Sequence, residues 1–248
     1  MFGVSATRAA VVILPAMNET EKRRAKRARK AGKSYRTVDL GNGMVQATPD
    51  AVLRAMGGLP PDLDWLSMAP SVIPVLPRRR PMPPVAGEPF RVTLPPGIPT
   101  GFGIDIGPAF LMVGESLLAT WPIGPADLVA TALDNLRGRM RQCRPRDLLR
   151  QAIDGIPARI LQSGVGCASG LVLVEDELRR IFGTEPACLI APMRDILIAL
   201  PAETDRTFVA WLNDEFSDMD PNGLALDAFV LDESGLRYEA LRAPGRMI

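Results

Sequence analysis

The chain contains no histidine, which removes Ser-His-Asp and Cys-His catalysis, histidine general bases and every His-ligated metal site. Cysteine is scarce as well. Cys143, Cys167 and Cys188 form an odd set, widely spaced and without a C-x-x-C pair. They read as reduced thiols of a cytoplasmic protein, neither a disulfide frame nor a zinc centre. Aromatic residues make up only 5 %, so Leu, Val, Ile, Met and Ala must fill the core. A net charge of +1 gives no whole-molecule attraction to nucleic acid or to a membrane. The apolar run within "MFGVSATRAAVVILPAMNE" is too short to cross a bilayer. Its nearly uncharged leading end and the basic run directly behind it suit a signal peptide poorly. Met17 would open a hydrophilic segment cleanly and is a second candidate start beside Met1.

What is present is the composition of a globular protein: 47 % hydrophobic and 23 % charged residues over 248 positions. The charge is unevenly spread. Residues 22–36 hold nine basic side chains and no acidic one, whereas residues 203–239 hold ten acidic side chains against Arg206 and Arg237 alone. Such patches serve two partners or meet each other. Residues 18–31 are good helix formers with Asn18 or Thr20 as N-cap, and their only apolar positions are Ala25, Ala28 and Ala31. A helix polar all round is exposed or held by a partner. Lys22, Arg23, Arg24, Lys26, Arg27, Arg29, Lys30 and Lys33 are thus candidate phosphate contacts for nucleic acid. Two other fates stay open for this arm: a solvated segment, and a strap lying on the acidic C-terminal region.

Three parts are expected: an N-terminal arm with a small hairpin-helix unit (1–59), a proline-rich linker (60–99) and an α+β domain (100–248). In the first, Gly41-Asn42-Gly43 supplies a tight turn, and Thr48, Pro49 and Gly57 cap and stop a short helix. Residues 60–99 carry twelve of the 24 prolines, which predicts an extended, largely unpaired surface strip. Beyond it, "FRVTL", "GIDI", "AFLMV" and "SLLATW" read as strands. Gly124-Pro125 opens a helix carrying Leu128, Val129, Ala132, Leu133, Leu136 and Met140 at helical spacing. "PRDLLRQAI" and "EDELRRIF" read as helical, and "ARILQ" and "LVLV" as strands. "ACLIAPMRDILIAL" reads as a hairpin around Pro192, and "AETDRTFVAWLNDEF" as a helix with Phe208, Leu212 and Phe216 on one face. "LDAFVLDESGLRYEAL" reads as a closing hairpin. The irregular mixture favours α+β, with mostly antiparallel sheets and packed helices, over a doubly wound sheet.

Three local patterns fail as sites. "DMDPNG" resembles half of a calcium loop, but position twelve is Phe229, not the bidentate Glu that such a loop needs. "SGVGCASG" has glycines after a strand, yet the helix that follows opens with Glu175, Asp176 and Glu177, which would repel a pyrophosphate. Asp214 and Glu215 are adjacent and point to different sides of a helix, which suits solvent better than an acid–base pair. No cofactor is expected.

The segments "LLATWPIGPADLVATALDNLR", "ASGLVLVEDELRRIFG" and "APMRDILIALP", in this order, resemble the YtpQ-like family of uncharacterised bacterial proteins. The matching positions are Trp121, Ala132, Asn135, Leu136, Ser169, Leu171, Pro192, Arg194 and Asp195, over about residues 90–241. The resemblance implies a cytoplasmic bacterial α+β protein and brings no established reaction or ligand. Arg194, Asp195 and Trp121 are the candidate recognition residues, with Arg194-Asp195 either a plain hairpin turn or a turn that holds a recognition arginine at a cleft edge. The function expected is a non-catalytic binding or regulatory module for a protein partner. The alternatives are nucleic-acid association through residues 22–36 and an enzyme with a non-local site around Arg194.

Overall fold

The computed structural model describes residues 54–60, 62–79, 88–107, 110–162, 167–219 and 223–241. The chain divides between Gly57 and Gly58, and the architecture below belongs to the unit that begins at Gly58. The basic arm, the expected 35–48 hairpin and half of each of the "DMDPNG" and "SGVGCASG" loops lie outside the described residues.

Among the described residues of this unit, two antiparallel sheets and five α-helices make it α+β. The smaller sheet is built on β3 (Ile98–Asp105), whose one edge pairs with β1 (Val72–Val75). Its other edge pairs first with β2 (Arg91–Leu94) and then with β4 (Phe110–Met112). Two glycines in β3 let these neighbours close in: a Cβ on Gly103 would meet Val75 Cγ2 at 3.0 Å and Phe110 Cβ at 3.1 Å. The larger sheet holds six strands in the order β10-β9-β7-β8-β6-β5. They are β5 (Leu149–Ile153), β6 (Ile156–Gln162), β7 (Ala187–Met193), β8 (Ile196–Pro201), β9 (Ala228–Asp232) and β10 (Gly235–Glu239).

The five helices are α1 (Trp65–Met68), α2 (Glu115–Thr120), α3 (Pro125–Met140), α4 (Glu175–Phe182) and α5 (Arg206–Met219). Both faces of the large sheet are covered, which is why β7 is buried at every position and reads as an unbroken apolar run. One face packs Cys188, Ile190, Ile198 and Leu200 against Val209 and Leu212 of α5, with Phe208 and Phe216 alongside. The other packs Leu189, Leu197 and Phe229 against Leu178, Ile181 and Phe182 of α4. Helix α3 is divided between the cores. Leu128 and Ala132 join Phe102 and Ile104 of the small sheet, while Leu136 and Met140 join the large-sheet core. Each large side chain so buried contributes roughly 1.5–3 kcal/mol.

Several expectations are corrected. "SLLATW" is helix α2, not a strand: Gly114 in extended conformation starts it and Leu118 is its buried contact. "PRDLLRQAI" is a 3-10 turn (Pro145–Asp147) followed by β5, because Asp154 and Gly155, both at positive φ (49° and 81°), fold it back on β6 as a two-residue hairpin. "LVLV" lies in a buried 3-10 segment (Ala168–Leu173) under Leu136, where Gly170 leaves room for that side chain. Pro192 sits inside β7 at a register shift between Ile190 and Met193, and the turn itself is Arg194-Asp195. Proline is tolerated there because a bulge spares it a ladder bond.

The described part of the 60–99 strip is paired, not loose. Val72, Ile73 and Leu76 are buried, since this apolar stretch completes the small sheet from its edge, where Pro74 lacks no needed donor. Onward, Arg79 N–H donates to Gly223 O at 2.9 Å and Ala225 N–H to Pro77 O at 2.8 Å. Among the described residues no helix is long and apolar enough to cross a membrane.

Candidate functional site

The β7–β8 hairpin carries Arg194 and Asp195 at its turn. The turn is fixed from inside: Ser169, 2 % exposed in the 3-10 segment, sends its backbone N–H (3.0 Å) and its hydroxyl (2.9 Å) to the carbonyl oxygen of Arg194. Outside, Asp195 aligns the neighbouring guanidinium, accepting from Nε on Oδ1 and from Nη2 on Oδ2, both at 3.2 Å. The guanidinium lies 4.9 Å from the centre of the Phe110 ring of β4, so its plane is also held by a cation–π contact. Arg194 remains 40 % exposed while Asp195 is 14 % exposed. Among the described residues Nη1 makes no hydrogen bond, and that donor edge is available to an acceptor from outside.

A second pair lies close by. Arg139 of α3 donates to Asp105 Oδ2 at 2.5 Å, the two being 23 % and 20 % exposed, and Asp105 Oδ1 accepts Gly107 N–H at 2.8 Å. Burial, aided by the Asp195 carboxylate, outweighs the fields of Arg139 and Arg194 and pushes the Cys167 thiol up to about 12. A thiol so held is not a nucleophile at neutral pH. The carboxyls whose acidity is displaced, Asp64, Asp205 and Asp232, are all displaced downward, chiefly by hydrogen bonds to Ser67, to the Phe208 and Thr207 N–H groups and to Ser234. Such groups stay ionised and serve as acceptors, the opposite of a general acid. Among the described residues no group of three or more His, Cys, Asp or Glu could hold a metal ion.

The structure joins Arg194 to Asp195 and leaves Trp121 elsewhere. Trp121 is 5 % exposed, donates Nε1–H to Leu63 O at 2.8 Å and packs at a tilt against Trp65, ring centres 5.0 Å apart, so it braces α1 in the small-sheet core. Asn135 has a comparable duty: its Nδ2 donates to Ala69 O and Val72 O at 2.7 and 2.8 Å, fixing the entry to β1. Phe110, Arg139 and Asp105 carry no sequence signal of their own. Phe110 reaches Arg194, and Arg139 reaches Asp105, through tertiary packing between residues far apart in the chain, which no local pattern reports.

Elsewhere, ion pairs tie elements together. Glu177, 9 % exposed, accepts from Arg180 at 2.5 Å with Arg141 at 3.6 Å, and Arg180 also donates to the Met140 carbonyl at the end of α3. The acidic face of α5 is met by Arg79 from the proline-rich strip, which pairs with Asp214 and lies 3.5 Å from Asp218. A concavity of about 640 Å³ runs along β5 and β6 between Arg150, Arg159, Glu185 and Glu203, and Arg194 is not on its wall. Comparison with protein-family models, with curated proteins and with solved structures finds no match to this chain.

Proposed function

We propose that this chain is a non-catalytic binding module that recognises an acidic group of a protein partner through Arg194. The supporting observation is the way one guanidinium is presented: stacked on Phe110, aligned edge-on by Asp195 and carried on a turn that Ser169 fastens to the core. Pre-alignment of this kind lowers the ordering cost of meeting a carboxylate, which is what distinguishes a recognition arginine from a solvated one. In this reading the protein works in the cytoplasm, where three buried thiols stay out of disulfides, and belongs with the YtpQ-like proteins.

The test uses the full chain on an array of peptides graded in Asp and Glu content, with free and amidated C-termini. Retention is expected on acidic peptides, falling about tenfold or more in Arg194→Ala, as for loss of a charge-assisted hydrogen bond. Arg194→Lys, which keeps the charge but loses the planar fork, falls between. Equal retention by all three proteins overturns the proposal.

A further inference from the structure

The two outer strands of the large sheet are treated differently. At one end, Leu236 N–H of β10 points away from β9 and is taken by the Glu175 carboxylate at 3.1 Å. At the other end β5 has no such cover among the described residues; it carries no proline or bulge, and its one charge is Arg150, on the face opposite Gln151.

The register says which groups are open. The two-residue turn makes Ile153 and Ile156 a hydrogen-bonded pair, and with alternation Gln151 and Leu149 also bond inward to β6. The N–H and C=O of Arg150 and Ala152 therefore face outward. On the sheet face shared with α5, Leu149 and Ile153 are only partly buried. Between them Gln151 Oε1 is buried without a hydrogen-bond partner, a cost of about 1–3 kcal/mol for a neutral polar group.

We infer that a second copy of this chain adds to the free edge of β5, antiparallel about a two-fold axis at Gln151, joining the two six-stranded sheets into one. In that register Arg150 and Ala152 of each copy exchange both backbone bonds, four in all. Leu149 meets Ile153 of the other copy in the closer, non-bonded spacing. The two Gln151 amides face each other across the axis, so each Nε2 supplies the donor that the opposite Oε1 lacks. On the other face Arg150 lies diagonal to Asp154 of the other copy, twice over, within reach of a long side chain. Neighbouring registers are worse. A slip of two one way sets Arg150 opposite itself, and the other way brings Asp154, already out of the strand at φ 49°, into the ladder. Five residues a side is a small interface, roughly 1,000 Å² or less, so association is reversible and concentration-dependent.

Sedimentation velocity of the full chain over roughly 1–300 µM, the range of micromolar dissociation constants, should show monomer passing to dimer. Gln151→Glu and Gln151→Lys each place like charges across the axis and should each remain monomeric, while an equimolar mixture of the two restores the dimer. Gln151→Cys should close to a disulfide-linked dimer on oxidation and Arg150→Cys should not, because only the residue on the axis meets its own copy within bonding distance. Circular dichroism checks that each variant is folded, and the cysteine pair carries the test where a charged variant is not. A wild-type chain that stays monomeric, a charge mixture that does not reassociate, or equal cross-linking of the two cysteine variants overturns the inference.

Discussion

Ser169 spends both of its donors on one acceptor: its N–H and its hydroxyl converge on the carbonyl oxygen of Arg194, at 3.0 and 2.9 Å. The buried 3-10 segment and the exposed hairpin tip are thereby fastened at a single atom. Ser169→Ala removes one of the two bonds without opening a large cavity, and urea denaturation should show a loss of about 1 kcal/mol. An unchanged midpoint would show that the hydroxyl bond adds nothing to the turn.

Two glycines should respond to alanine with opposite signs. A Cβ on Gly223 would stand 2.1 Å from Ser217 O, backbone against backbone at the end of α5, so Gly223→Ala must displace the chain and should cost roughly 2 kcal/mol or more. Gly138, exposed in α3 with nothing within 4 Å of its added Cβ, should gain about 0.5–1 kcal/mol from the same change. Thermal denaturation of both variants reads the pair.

Acid should weaken the fold through Asp232. Hydrogen bonds from the Ser234 hydroxyl, then the Arg237 guanidinium and the Ser234 N–H, hold its pKa at about 2, against an ordinary 3.8. Above about pH 4 the carboxyl is ionised folded and unfolded alike, and its contribution is complete. As pH falls from about 4 to 2 the unfolded chain takes up a proton that the native one refuses, so stability drops through this window. Asp232→Asn should flatten the dependence of Tm on pH there, and a slope equal to wild type would assign the acid sensitivity to other groups.

The three cysteines should be silent in the native protein. Cys143, Cys167 and Cys188 are 5 %, 4 % and 0 % exposed, and burial pushes Cys167 up to about 12 and Cys188 up to about 11. Iodoacetamide at about pH 8 should leave all three unmodified by mass spectrometry over a period that alkylates each in the urea-unfolded chain. Native labelling at Cys167 would reveal a reactive thiol beside Arg194 and reopen an enzymatic reading.

The sequence was most legible where burial is one-sided and local. The spacing of Leu128, Ala132, Leu136 and Met140 gave α3, and the all-apolar "ACLIAPM" and "ILIALP" gave the central hairpin. It misled where tertiary context overrode propensity. "LVLV" is β-prone, yet Leu171 and Val172 lie in a 3-10 turn, buried in one core with Leu136, Leu178, Leu189 and Leu197. β5 was hidden by its helix-forming residues, although Asp154-Gly155 is a hairpin signal in plain view. For the candidate site, the Arg194-Asp195 turn could be read from its chemistry. The ring beneath it could not, because Phe110 comes from the other sheet.

Helix α3 has its early turns keyed into one sheet and its later turns into the other. Neither sheet can therefore let go of the helix without pulling on its neighbour. Heating should not melt the small sheet first and the large one later, since both draw on the same sixteen-residue spar. For anyone trimming the chain, a fragment holding the Arg194 hairpin but starting beyond Met140 would leave Leu171 and Leu178 facing water where Leu136 and Met140 had been.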